Sequence, residues 1–156
     1  MKLSITILSL VLSGATLFLS GCGSDESELK SQEEIQFELL KGTWVLDHVT
    51  LDATSKTASF PGLELNIPGT FKTSGIFLFQ MSGTRPTPGP WPGESQWKFG
   101  IDPKTELIRG PGNEDLSMNY SVTSSALLLT FTCSSCSFAG GRTNSVNGKW
   151  EFAFKR

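Results

Sequence analysis

From residue 42 to residue 156 the apolar side chains recur at every second position, and that period limits more than anything else what this chain can fold into. Successive side chains of an extended strand point to opposite faces, so such alternation marks strands with one face buried and one in water. Trp97, Phe99 and Ile101 share one parity, while Lys98, Gly100 and Asp102 take the other. Met118, Tyr120 and Val122 alternate with Asn119, Ser121 and Thr123, and Leu127, Leu129 and Phe131 repeat the pattern. Trp150, Phe152 and Phe154 then stand against Lys149, Glu151 and Ala153. Less regular runs at 43–51, 63–67, 75–81 and 106–109 bring the expected strands to eight.

Gly- and Pro-rich turns join these runs, Asp102-Pro103-Lys104-Thr105 and Ser124-Ser125 among them, and no helical period intervenes. Parallel neighbours need crossovers of a dozen residues or more, so these strands are expected to meander as antiparallel pairs. The fold class is therefore all-β. Eight meandering strands close readily into an antiparallel up-and-down barrel, with a two-sheet β-sandwich as the alternative. Before the first strand, Ser31-Gln32-Glu33-Glu34 has the form of a capping box. Ile35 and Leu39 follow at a spacing of four and Gly42 supplies a stop, so a short N-terminal helix is expected over 32–41.

Residues 1–21 are of another kind: a single positive charge at Lys2, an apolar stretch broken only by small and hydroxyl residues, then Leu19-Ser20-Gly21-Cys22. A basic start, an apolar core and small residues before a cut are the parts of a secretory signal peptide. The last four residues resemble the lipobox of bacterial lipoproteins. That resemblance implies cleavage before Cys22, lipidation of its thiol, and a cell-envelope address as an outer-membrane lipoprotein on the periplasmic side or the cell surface. The alternative is an uncleaved transmembrane anchor, because the run is near the lower length limit for a span. Either way the partner is a membrane. Residues 22–31 then form a polar, acidic tether; it resembles the surface-export tether of Bacteroidetes lipoproteins, or it is a plain spacer.

Charge narrows the functions further. Residues 25–38 hold six acids against one Lys, whereas residues 42–156 hold nine acids against ten Lys and Arg. The domain over 32–156 is nearly neutral, which excludes nucleic acid as a partner and gives no reason to expect docking on anionic headgroups. About 130 residues after cleavage suit one domain with a single core.

Gly42-Thr43-Trp44, coming directly after a short helix and opening an eight-strand count, resembles the Gly-x-Trp signature of lipocalins, and residues 40–156 are similar to the lipocalin-like domains of bacterial lipoproteins. The resemblance implies that the helix closes the barrel base, that Trp44 packs beneath it, that an Arg of the last strand lies across the indole, and that the barrel binds a small apolar ligand. The chain departs from true lipocalins in its shortness, in lacking a second motif between the middle hairpins, and in having no helix after the last strand. Strand geometry names the arginine. In an up-and-down barrel the first and last strands pair antiparallel, and Arg156 shares the parity of Trp150, Phe152 and Phe154, so its guanidinium is expected on Trp44. A frayed C-terminus with Arg156 in solvent is the alternative, and Arg142 is the reserve candidate.

No catalytic constellation emerges. His48 is the sole histidine, its neighbour Asp47 should point to the opposite face of a strand, and the carboxylates are spread singly, so no enzyme is expected. If Trp44 faces inward then Leu46 and His48 do too, and His48 becomes a polar handle for a ligand; otherwise it sits at the rim or in water. His48, Trp97, Tyr120 and Phe131 are the candidate ligand contacts. The inward aromatic residues can equally fill the lumen, since an eight-strand barrel has room for packed side chains or one small ligand. A filled barrel would serve instead as a surface adaptor or accessory subunit, meeting a protein partner through a loop.

Two loops carry distinctive chemistry. Cys133-Ser134-Ser135-Cys136 is expected to form a local disulfide in an oxidising compartment, because a redox role wants a helix start and zinc wants four ligands where only His48 could join; no cofactor or metal follows. Residues 83–93 place Pro86, Pro88, Pro90 and Pro92 around Trp91, which forbids a central strand and favours an extended loop. Packing Trp91 against the barrel spares a large apolar surface from water, the alternative being display to a partner, with residues 139–142 as a second contact loop.

Overall fold

The computed structural model describes residues 29–110, 112, 115–134 and 146–156. The leader, Cys22, the acidic run before residue 29, Cys136, Arg142 and the 139–142 loop lie outside the described residues. Among the described residues nine strands follow one α-helix: α1 (Gln32–Leu40), β1 (Gly42–Leu51), β2 (Thr54–Ser55), β3 (Glu64–Ile67), β4 (Phe77–Ser82), β5 (Glu94–Phe99), β6 (Glu106–Arg109), β7 (Leu116–Val122), β8 (Ala126–Cys133) and β9 (Gly148–Lys155). Every neighbour is antiparallel, and β1 pairs with β9 to close the ring. Eight strands, β1 and β3 to β9, make a closed up-and-down barrel rather than a sandwich. The two-residue β2 is the addition, a hairpin folded back on the end of β1.

The helix begins where its capping box lies: the Ser31 hydroxyl accepts from the Glu34 amide at 3.1 Å. Its buried face is Phe37 and Leu40, whereas Ile35 is 43% exposed. Phe37 decides the rotation by entering an aromatic cluster with Phe77 at 4.7 Å and Phe71 at 6.2 Å between ring centroids.

Two departures from strict alternation matter. In β1 the register against β9 shifts between Leu46 and His48, so Asp47 is an extra, bulged residue. The bulge reverses the phase: Trp44 is buried before it and Val49 after it, while His48 faces solvent. Of the two readings of His48, an inward ligand handle or a residue in water, the structure gives the second. In β5 the inward run stops at Phe99; Ile101 stands in the following turn, 99% exposed. That turn is fixed by the Asp102 carboxylate, which accepts from the Lys104 amide at 3.0 Å and the Thr105 hydroxyl at 2.9 Å. These two donors hold the Asp102 carboxyl below the usual range.

Candidate functional site

Strand direction sorts the loops into two ends. The base, beside α1, gathers the start of β1, the turn between β5 and β6, and the end of β9. The mouth gathers the β1–β3 connection, the proline loop over 83–93 and the β8–β9 connection.

At the base the structure brings Trp44 and Arg156 together. The Arg156 guanidinium carbon lies 3.8 Å from the centroid of the Trp44 ring. Its Nη2 group also donates to the carbonyls of Leu39 at 2.6 Å and Lys41 at 2.9 Å, while the Trp44 indole N–H donates to the Leu40 carbonyl at 2.7 Å. A helix leaves its last carbonyls without intrahelical partners. Here one aromatic donor and one cation take three of them, and a positive charge at a helix C-terminus is favoured by the macrodipole as well. The Tyr120 hydroxyl adds a clasp: it donates to the Pro103 carbonyl and lies 3.1 Å from the Gln36 amide, tying the β5–β6 turn to the helix. Burial, and then the nearby Asp102 charge, raise the Tyr120 phenol well above its ordinary range.

At the mouth the closure is made of side chains. Phe60 and Leu63, from the segment between β2 and β3, are buried, and Phe60 meets Phe152 and Trp150 edge-on at 5.4 and 6.1 Å. Trp91 is 4% exposed and drops into the lumen from the proline loop, edge-on to Phe79, Phe131 and Phe152, each at 5.6 Å. Below it sits Arg109 of β6, fully buried, its guanidinium 5.0 Å from the Trp91 ring and 5.7 Å from Phe131. Arg109 donates to the carbonyl of Pro90 at 2.6 Å, so it holds the loop by its backbone as well as by its tryptophan. The loops also lean on each other: Thr84 donates to Pro61 at 3.1 Å, and a Cβ on Gly83 would fall 2.0 Å from the Gly62 oxygen.

The candidate ligand contacts are thus dispersed. Trp97 is buried near the base, stacked with Phe37 and donating to the Leu78 carbonyl at 3.2 Å. Tyr120 belongs to the base clasp and Phe131 to the mouth cluster. His48 is outside, 3.3 Å from the Asp47 carboxylate, because the bulge puts both on the outer wall where unbroken alternation would have parted them. Asp47 also holds Lys155 at 2.7 Å, and that cation, followed by His48, keeps its carboxyl low. Between the two stoppers the lumen retains an apolar cavity of about 20 Å³, lined by Leu40, Leu65, Phe79, Trp91, Trp97 and Leu129 among others. That is room for about one water, against the roughly 300 Å³ or more of a small-molecule pocket. Among the described residues no three metal-ligating side chains cluster.

Arg109 was the residue hardest to anticipate as a site, yet its signal is present: it shares the parity of Leu107, whose inward place is fixed by pairing with Phe99 and Met118. Cys133 closes β8, buried at the mouth; its expected partner Cys136 lies outside the described residues. No family model matches the chain, and no curated protein matches it either.

Proposed function

We propose that this protein is an envelope lipoprotein, cut before Cys22 and lipidated there, whose lipocalin-type barrel works through its outer surface as an adaptor or accessory subunit for a protein partner. The single observation behind the surface reading is the lumen, where Trp91 and Phe60 occupy the mouth and the cavity among the described residues is about 20 Å³. The anchor rests on Leu19-Ser20-Gly21-Cys22 and the apolar run before it. Native mass spectrometry of the acylated protein, with its co-purified lipid extract, tests the lumen: the expected result is a ligand-free barrel, and a stoichiometric small molecule would overturn it. Cys22→Ala is expected to abolish incorporation of a fatty-acid analogue; labelled mutant would remove the anchor assignment.

A second reading has one observation in its favour. Trp91 enters the lumen from a loop and not from a strand, and its buried indole N–H has no hydrogen-bond partner among the described residues. A small apolar ligand could take its place without breaking the sheet, leaving the proline loop outside. The same mass measurement decides between the two. In either case Cys133 pairs with Cys136 in the oxidising envelope, so alkylation without reduction should add no mass, and two added groups would refute the pairing.

A further inference from the structure

We infer that the helix end of the barrel is a bilayer-facing surface, seated on zwitterionic lipid by the exposed side chains of Leu29, Ile35, Ile76 and Ile101; this rests on the lipidation proposed above. Six large apolar side chains are exposed among the described residues: Leu29 (96%), Ile35 (43%), Val45 (42%), Ile76 (45%), Leu78 (56%) and Ile101 (99%). All six belong to the helix-side half. Leu29 and Ile35 precede and begin α1, Val45 is near the start of β1, Ile76 and Leu78 flank the start of β4, and Ile101 tips the turn after β5. The described residues of the mouth contribute none, because Phe60, Leu63, Trp91 and Val146 there are folded in.

Single exposed aliphatic residues are ordinary on a protein surface, and their concentration at one end is not. A surface depression of about 510 Å³ joins Ser31 and Glu33 of the helix start to Ile76, Lys98 and Phe99. The Tyr120 clasp brings the Ile101 turn against Gln36, next to Ile35. The four residues thus belong to segments at the helix end: two on or before α1, one bordering the depression at the helix start, one on the turn that Tyr120 ties to the helix.

The occupant follows from the leash. Cys22 stands seven positions before Leu29, and at no more than about 3.6 Å per residue the acylated cysteine is within roughly 25 Å of Leu29, which leads into the helix. Strands of eight residues rise by about as much, so the base is the end held next to the membrane. Tethering raises the effective concentration, and weak apolar contacts then suffice to orient the barrel. Lys30, Lys72, Lys98 and Lys104 are balanced by Glu33, Glu34, Asp102 and Glu106 around this end. Anionic headgroups are therefore not what it selects.

The test places an environment-sensitive NBD fluorophore on Ile101→Cys, and separately on Ser55→Cys at the mouth, in full-length acylated protein reconstituted in phosphatidylcholine vesicles. Labelled wild type supplies the background from native thiols. The Ile101 probe is expected to shift to the blue and to be quenched about twofold by tail-brominated phosphatidylcholine, equally at low and high salt, with the Ser55 probe unchanged. An Ile101 probe as wet as the Ser55 probe, or shifted without brominated-lipid quenching, as a protein partner would leave it, overturns the proposal. The same pair is measured with a polyhistidine tag replacing residues 1–22 on nickel-chelating phosphatidylcholine vesicles. Absence of acyl mass on the native protein refutes the lipid anchor alone, whereas an unquenched Ile101 probe on the tagged protein refutes the seat alone.

Discussion

Each end of this barrel sets an arginine over a tryptophan and has the arginine donate to backbone carbonyls, yet the two pairs live in different media. Arg156 on Trp44 keeps its charge in reach of water and caps a helix; Arg109 beneath Trp91 is completely buried. The base indole N–H is satisfied by Leu40, and the mouth indole N–H has no hydrogen-bond partner among the described residues. A cation over an aromatic ring is worth about 0.5–1 kcal/mol when exposed and about 2 or more when desolvated, so the mouth pair is the larger of the two. The base is therefore a joint that tolerates wear. The mouth is a stopper whose parts depend on one another.

The sharpest way to break that contrast is Trp91→Ala, which empties a large volume and uncovers Arg109. It should cost about 3–5 kcal/mol in urea denaturation, and a loss under about 1 kcal/mol would mean that the loop merely rests on the barrel. Arg156→Ala should cost about 1–2 kcal/mol, the cation–π contact plus two hydrogen bonds to the helix end. Because the sites share no partner, the double variant should lose the sum within about 0.5 kcal/mol; strong coupling would show that the ends act as one unit. The smallest effect is the base clasp's response to pH. Burial raises the folded Tyr120 phenol above its unfolded value, so its contribution is whole below the unfolded value near 10 and is lost as pH rises past it, when the unfolded chain ionises first. Thermal melts should fall more steeply above about pH 10 for the wild type than for Tyr120→Phe.

The sheet was legible because a period of two carries its own geometry: runs such as Leu127, Leu129, Phe131 and Trp150, Phe152, Phe154 leave strand pairing little choice. The Arg156 stacking on Trp44 could be reasoned from parity and antiparallel closure for the same reason. What escaped depends on one-residue or long-range events. The bulge at Asp47 has no local signature, and it reversed the face of His48. Ile101 continued the alternation of β5 by type, but the Asp102 turn claimed it. Arg109 was hidden by its charge, since a cation is expected outside unless its neighbours are known. The stopper at the mouth required knowing that two loops, far apart from the strands they cover, meet over one lumen.

The seam between β1 and β9 also sets the order in which the molecule can come into being. On the edge of β1 that faces β9, residues 45–51 find their partners only at 150–155, and the Arg156 guanidinium reaches back to Leu39. No earlier stretch of chain can substitute, so hairpins between β3 and β8 can form as they emerge while the ring stays open until the last segment arrives. Such non-local closure is slow and leaves an unpaired strand edge in the meantime. Under the export proposed above, this delay is of use, because an open meander is easier to thread than a finished ring.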